Sequence, residues 1–271
     1  ADRGVLVFCP ATVLGVWPRE VEKHTDGAFQ TLALTRGTSA KKAERAMAWL
    51  RLQRARDAPH MLVVNYESAW RKEIASVLRA FNWSRLVLDE SHRVKAPGGK
   101  ASKFAETMSK KAKRRLALSG TPCPHSPLDI YGQARALDKR IFGPSYVAFR
   151  GFYAVVDPKF PSKVHRWINQ DTYREKYQQL AHTVKSEDVL DLPPLTHQTL
   201  DVELAPKARK AYDQLQEDMY ARVERGEITP ANGLVTLLRL QQITGGTVPL
   251  DGGHEEDVCD GKANALRDLL D

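Results

Sequence analysis

What most restricts the fold of this chain is an alternation in its first half. Short strand-like runs, most of them continuously apolar, are separated by longer stretches with helical spacing. The runs are Val5–Phe8, Gln30–Leu34, Met61–Val64, Leu86–Leu88 and Leu116–Leu118. Between them, Thr12–His24, Ala40–Arg56 and Glu67–Phe81 read as helices. In the second of these, apolar Ala43, Ala46, Met47 and Leu50 recur at helical spacing. A run that is apolar at every position suits a strand buried on both faces. Such strands alternating with amphipathic helices predict an α/β fold, a mostly parallel sheet covered on both sides.

Sheets of this kind bind ligands at the carboxyl ends of their strands. The polar residues that follow each run are therefore the candidates for function. They are Pro10-Ala11-Thr12, Asn65-Tyr66-Glu67, Asp89-Glu90-Ser91-His92 and Ser119-Gly120-Thr121-Pro122.

Composition narrows the partners. The 271 residues allow one large domain or two small ones. Lys and Arg number 41 against 33 Asp and Glu, a net charge of +8. That excess suits a polyanion such as nucleic acid, or else a solvated basic surface. Cys9, Cys123 and Cys259 are far apart and odd in number, so they give neither a zinc spacing nor a disulfide framework. A reducing, cytoplasmic setting follows as the expectation. No apolar run approaches the roughly 18 residues of a membrane span, so no membrane partner is expected. The chain opens on Ala1 and enters a strand-like run almost at once, which reads as a fragment or a processed chain.

The most informative stretch is Leu86-Val87-Leu88-Asp89-Glu90-Ser91-His92. An apolar strand here delivers two adjacent acids to a polar site, although neighbouring strand residues point to opposite faces. Nucleotide hydrolysis gives both a use. Asp89 can hold magnesium through its water shell, and Glu90 can activate the attacking water. His92 can couple that site to neighbouring loops. The plain alternative is a solvated strand end.

Beyond residue 140 the alternation stops. Residues 141–194 are aromatic and basic, with Phe142, Tyr146, Phe149, Phe152, Tyr153 and Trp167. Pro193-Pro194 reads as a linker. Thr199–Leu204 alternates like a strand, Lys207–Glu224, Ala231–Gln242 and Lys262–Leu270 read as helices, and the Gly- and Asp-rich stretch 245–261 reads as a loop.

Taken in order, these stretches resemble the Swi/Snf-type superfamily-two DNA-dependent ATPases. Asp89-Glu90-Ser91-His92 matches the second helicase motif, and Arg93-Val94-Lys95 is similar to the basic stretch after it. Leu118-Ser119-Gly120-Thr121-Pro122 resembles the third motif, continued by Ser126–Gln133. Cys9–Leu14, with Trp17 and Glu20, looks like motif Ia, and Val63–Glu67 like motif Ib. Lys185–Pro194 is similar to the segment joining the family's two lobes. Val202-Glu203-Leu204, Ala211-Tyr212 and Gly261-Lys262-Ala263 resemble parts of lobe two. The compact spacing is similar to bacterial and phage members.

The resemblance implies an α/β, RecA-like lobe of the P-loop NTPase type, N-terminally incomplete, over residues 1–140. A helical protrusion and linker would occupy 141–194, and the start of a second lobe 195–271. It implies ATP and Mg²⁺ as cofactors, with magnesium on Asp89, and double-stranded DNA as partner, in the cytoplasm of a bacterial or phage-infected cell. Asp89, Glu90 and His92 would carry catalysis, and Ser119, Gly120 and Thr121 the coupling. Pro10, Thr12, Asn65, Tyr66, Arg93 and Lys95 would contact DNA, mainly at phosphates.

Two departures qualify this. A Gly-x-x-x-x-Gly-Lys-Ser/Thr pattern occurs nowhere in the 271 residues, and the end of lobe two with its arginine finger is missing. The piece alone is therefore expected to be a poor ATPase. His125 also stands where many members have Asn. The competing class is a non-catalytic DNA-binding or scaffold module built on a helicase lobe.

Several residues have a plain reading beside the functional one. Ser119 and Thr121 can form a turn, Thr12 an N-cap, and Asn65 and Tyr66 a helix cap. Lys110–Arg115 is either a phosphate contact or a solvated loop. Trp17, Trp83 and the aromatics of 141–167 read as packing. Asp251, His254, Glu255, Asp257 and Cys259 read as an acidic loop in preference to a metal site.

Overall fold

The computed structural model describes residues 3–160, 163–191, 193, 196–225, 227, 230–249 and 255–270. The chain divides into two compact units, Ala1–Lys185 and Ser186–Asp271.

The first unit is built on five parallel strands in the order β2-β3-β1-β4-β5. These are β1 (Gly4–Cys9), β2 (Gln30–Ala33), β3 (His60–Asn65), β4 (Trp83–Asp89) and β5 (Ala112–Leu118). The intervening helices are α1 (Val16–Thr25), α2 (Ser39–Ala55), α3 (Tyr66–Ala69), α4 (Lys72–Arg79) and α5 (Lys100–Ser109). Side-chain alternation along the central strands feeds two cores. Leu6, Phe8, Leu62, Val64, Leu86 and Leu88 pack with Ala46 and Leu50 of α2, Ile74 and Leu78 of α4, and Phe104 and Met108 of α5. Val5, Val7, Cys9, Val63 and Val87 point the other way, onto Leu14, Trp17 and Phe29. The continuously apolar strands are explained by burial on both faces, and the α/β expectation holds.

Local departures have physical causes. The helix expected from Thr12 starts instead at Val16, after a 3-10 turn over Ala11–Val13. Pro18 lacks an N–H and its ring crowds the carbonyl four residues back, so it is tolerated only in a first turn, where it sits. The helix expected over Glu67–Phe81 breaks at Trp70 and Arg71, where the backbone extends (Arg71 ψ 141°). The basic run 110–115 is not a loop: Ala112 onward is edge strand, paired to β4 from Trp83↔Ala112 to Asp89↔Leu118. Charged side chains on an edge strand discourage pairing with other chains.

Next come α6 (Ile130–Phe142), α7 (Tyr146–Tyr153), β6 (Ala154–Val156), β7 (Val164–Trp167) and α8 (Gln170–Gln178). The stretch expected to be a helical protrusion contains a two-stranded antiparallel sheet, β6-β7, with a register irregularity at Val155/Val156. Its core is aromatic. Tyr131 lies 5.0 Å from Phe149, and Phe142 lies 5.1 Å from Phe149, with Tyr153 and Tyr173 around them. Offset and edge-on ring pairs of this kind add to simple burial.

The second unit holds α9 (Ser186–Val189), α10 (Pro206–Glu224), α11 (Pro230–Gly245), β8 (Thr247–Pro249), β9 (Glu255–Asp257) and α12 (Gly261–Leu270). Thr199–Leu204 forms no strand, because among the described residues it has no ladder partner. The stretch read as a loop instead pairs β8 antiparallel to β9. Gly246 lets the chain pass from α11 into β8. Its φ is +102°, and a Cβ there would lie 2.4 Å from the Cys259 carbonyl oxygen. Within the linker and acidic-loop readings, Leu192, Pro194, Asp251 and His254 lie outside the described residues. Among the described residues, no helix is long and apolar enough to cross a membrane.

The three thiols sit in unlike environments. Cys9 is buried, and burial, then the Asp89 and Glu67 charges, push its pKa up to about 12. Cys259 is partly exposed, and hydrogen bonds from the backbone of Ala205 and Gly261 hold its thiol below the ordinary value. Since the thiolate is the nucleophile, iodoacetamide under mildly alkaline conditions is expected to label Cys259 first and Cys9 only after unfolding. Peptide mapping of labelled sites checks this, and early labelling of Cys9 would contradict the packing of β1.

Candidate functional site

The carboxyl ends of β1, β3, β4 and β5 bring Pro10, Asn65, Asp89 and Ser119 to one end of the sheet. Strand β4 stops at Asp89 because Glu90 leaves the extended region altogether. Its φ of 48° and ψ of 54° are left-handed, which a non-glycine residue adopts at a cost of about 1–2 kcal/mol. This turn resolves the puzzle of two adjacent acids at a strand end. Glu90 is no longer bound by strand alternation, and its carboxylate reaches His92 Nδ1 at 3.2 Å.

Asp89 is held from two sides. Trp17 Nε1 donates to Asp89 Oδ2 at 3.0 Å, and the Tyr66 hydroxyl donates to the Asp89 carbonyl at 2.7 Å. Tyr66 is 2% exposed, and burial, then the Asp89 charge, hold its hydroxyl well above the usual pKa, so it stays a donor. The His92 ring continues outward. A neighbouring carboxylate favours the tautomer with its proton on Nδ1, and that N–H faces Glu90 at 3.2 Å and the Ser119 hydroxyl at 3.3 Å. Ser119 Oγ also accepts the Thr121 amide N–H at 3.1 Å. The turn after β4 and the Ser119–Thr121 turn after β5 are therefore joined side chain to side chain. Gly120 is exposed between them.

A second link joins the turns after β3 and β4. Glu67 accepts from Asn65 Nδ2 at 2.9 Å and from Arg93 Nη1 at 3.0 Å. Burial raises the Glu67 carboxyl, but the Asn65 amide, a backbone N–H and the Arg93 guanidinium outweigh it and leave the pKa below its ordinary value.

The six residues expected at DNA separate into two groups. Thr12 and Arg93 are exposed and Lys95 is half-buried. Pro10, Asn65 (8% exposed) and Tyr66 are buried, so their side chains present little surface to a duplex. Asn65 and Tyr66 are spent on Glu67 and Asp89, bracing the site from beneath. Trp83 is core, as expected, with Nε1 donating to the Leu78 carbonyl at 3.1 Å. Trp17 is not merely core, since its indole is directed at Asp89. Nothing in sequence marks a contact between residues 72 positions apart. The bracing role of Glu67 is a further addition, although Asn-x-Glu after an apolar strand is a readable local pair.

Comparison with known proteins adds an independent finding. A family model described as the SNF2-related domain matches residues 1–245. DNA repair protein RAD5A of Arabidopsis thaliana is 27% identical over 256 residues, covering 88% of this chain and 23% of RAD5A. Protein p41 of Acyrthosiphon pisum secondary endosymbiont phage 1 is 25% identical over 227 residues, covering 78% of this chain and 48% of p41. The structure of the Sulfolobus solfataricus SWI2/SNF2 ATPase core in complex with dsDNA aligns with 99% of this chain and 53% of its own, with a TM-score of 0.52 at 21% identity. That is a likeness of fold. The chain spans about a quarter of RAD5A and about half of p41.

Proposed function

The chain belongs to the SNF2-related domain family, and on that premise we propose that it forms part of an ATP-driven motor that moves along double-stranded DNA. The observation that carries this reading is the corner at the end of β4. There the left-handed Glu90 sits beside Asp89 and reaches, through His92, the Ser119 turn. Two carboxylates at one strand end are hard oxygen donors, the kind that hold Mg²⁺ together with substrate phosphates. When bound, the ion would neutralise charge developing on the transferred phosphoryl group. In this reading Asp89 would hold the ion, with Trp17 fixing its carboxylate. Glu90 takes the proton from the attacking water. His92 and Ser119 carry the state of that site to the Ser119–Thr121 turn, and Thr12, Arg93 and Lys95 meet DNA phosphates. The phosphate-binding loop and the arginine finger have no counterparts in these 271 residues, so the proposal concerns the intact protein. Free thiols at Cys9, Cys123 and Cys259 suit action in the cytoplasm.

The test is ATP hydrolysis by the intact protein with and without duplex DNA, together with duplex binding across salt. Hydrolysis should rise on adding any duplex, whatever its sequence. Affinity should fall by about 10³ or more between 50 and 200 mM salt, as expected for several phosphate contacts. Equal hydrolysis with and without DNA would turn the reading to a non-catalytic binding module.

A further inference from the structure

We infer that Gln133 is a positioning residue of this site, a buried clamp that fixes the Glu90-bearing turn against the loop after β5. The inference rests on the motor reading and deepens it. Gln133 lies on the first turn of α6 and is 2% exposed. Its carboxamide serves three segments. Oε1 accepts from the Ser91 hydroxyl at 2.7 Å, and Nε2 donates to the carbonyls of Pro122 at 2.6 Å and Asp129 at 3.0 Å. Ser91, also 2% exposed, follows Glu90 directly, and Pro122 closes the Ser119–Thr121 turn.

The orientation of the amide follows from its partners. Two carbonyls need donors, and only the NH₂ end supplies two. The opposite orientation would set oxygen against oxygen. No single-atom acceptor or donor serves all three partners, which explains an amide here in place of a carboxylate or hydroxyl. The neighbouring residue reinforces the clamp. At Gly132 a Cβ would lie 2.1 Å from the Val94 carbonyl oxygen and 2.8 Å from that of Lys95, so α6 is pressed directly on the backbone that follows Ser91.

The acidic corner and the Ser119 turn are thus joined twice. The outer join, His92 to Ser119, is half-buried and long at 3.3 Å. The inner join, Ser91 to Gln133 to Pro122, is short, and its Ser91–Gln133 half is buried. An exposed bond competes with water, whereas a buried polar group left without its partner is costly. The inner join therefore sets the spacing of the two turns, and the outer join can change with the state of the site.

The test compares the intact protein with Gln133→Met, close in size but without the three bonds, and with Ser91→Ala. Hydrogen exchange followed by mass spectrometry should show peptides spanning 91–95 and 119–122 exchanging about tenfold faster in Gln133→Met, with β1 and β3 unchanged. The ratio of DNA-stimulated to unstimulated hydrolysis should fall about tenfold, with KM for ATP held. Adding Ser91→Ala to Gln133→Met should change neither readout further, since both remove one join. Parent-like exchange in both peptides overturns the clamp, as does a loss spread equally over stimulated and unstimulated rates. If Gln133→Met does not fold, Ser91→Ala alone decides, with a smaller change of the same pattern expected. A parent protein that DNA does not stimulate sinks the motor reading, and the exchange comparison then still decides whether Gln133 joins the turns.

Discussion

Glu90→Gln in the intact protein should lower kcat for DNA-stimulated ATP hydrolysis by roughly 10²–10⁴-fold, the span of a lost general base. The substitution exchanges one carboxylate oxygen for an amide nitrogen of nearly equal size. It leaves Asp89, with its Trp17 and Tyr66 bonds, in place. It also keeps a polar oxygen within reach of His92 Nδ1, so the loss is confined to proton abstraction. Two further expectations separate this from general damage. Glu90 is only partly buried, so stability should change by no more than about 0.5 kcal/mol, a shift of about 2 °C in melting temperature. KM for ATP should change little, since the base acts in the transition state rather than in the bound ground state. Steady-state kinetics at saturating duplex DNA, run beside thermal melts, check all three. A variant whose kcat stays within about threefold of the parent would remove Glu90 from the chemistry and leave its left-handed backbone without the use proposed for it.

Much of this site is legible in the amino-acid sequence. Five strands can be placed because β1, β3 and β4 are buried on both faces and so carry no alternation to misread. Their carboxyl ends then name Pro10, Asn65, Asp89 and Ser119 as neighbours by topology alone. What resists reading depends on side chains meeting across long sequence separations. Trp17 reads as core and Tyr66 as a DNA contact or a helix cap, yet each has a polar tip, and both tips converge on Asp89 from 72 and 23 residues away. Gln133 carries no signal of its own, since an amide on an apolar helix face becomes a clamp only when Ser91 and Pro122 are folded onto it. The left-handed Glu90 is equally hidden, because Glu has no preference for that region that a sequence could reveal. The stretches where pattern misleads obey the same rule. Thr199–Leu204 has a strand's alternation without a partner among the described residues, and 245–261 has a loop's composition yet pairs β8 with β9 just after the left-handed Gly246. Pattern reports what a segment can bury, and pairing is decided elsewhere in the chain.

Replacing Gly132 by alanine should destabilise the first unit by about 3 kcal/mol, at the upper end of overpacking costs, and lower its melting temperature by about 6–12 °C. Helix propensity alone argues the opposite. Glycine inside a helix costs roughly 0.5–1 kcal/mol relative to alanine, so the exchange should stabilise wherever the new methyl has room. At Gly132 it has none. The Cβ would sit 2.1 Å from the Val94 carbonyl oxygen and 2.8 Å from that of Lys95, and both obstacles are backbone, which cannot rotate aside. Helix α6 must then retreat, and retreat lengthens the Ser91 and Pro122 bonds of Gln133 beside it. The internal control is Gly151, which lies inside α7 with nothing within 4 Å of its would-be Cβ. Gly151→Ala should therefore raise stability by about 0.5–1 kcal/mol. Opposite signs for the same substitution at two helical glycines isolate the close approach from propensity. Thermal and denaturant unfolding of both variants supply the comparison. A Gly132→Ala variant as stable as Gly151→Ala would mean that α6 does not press on residues 94–95, and the backing of the acidic corner by that helix would have to be abandoned.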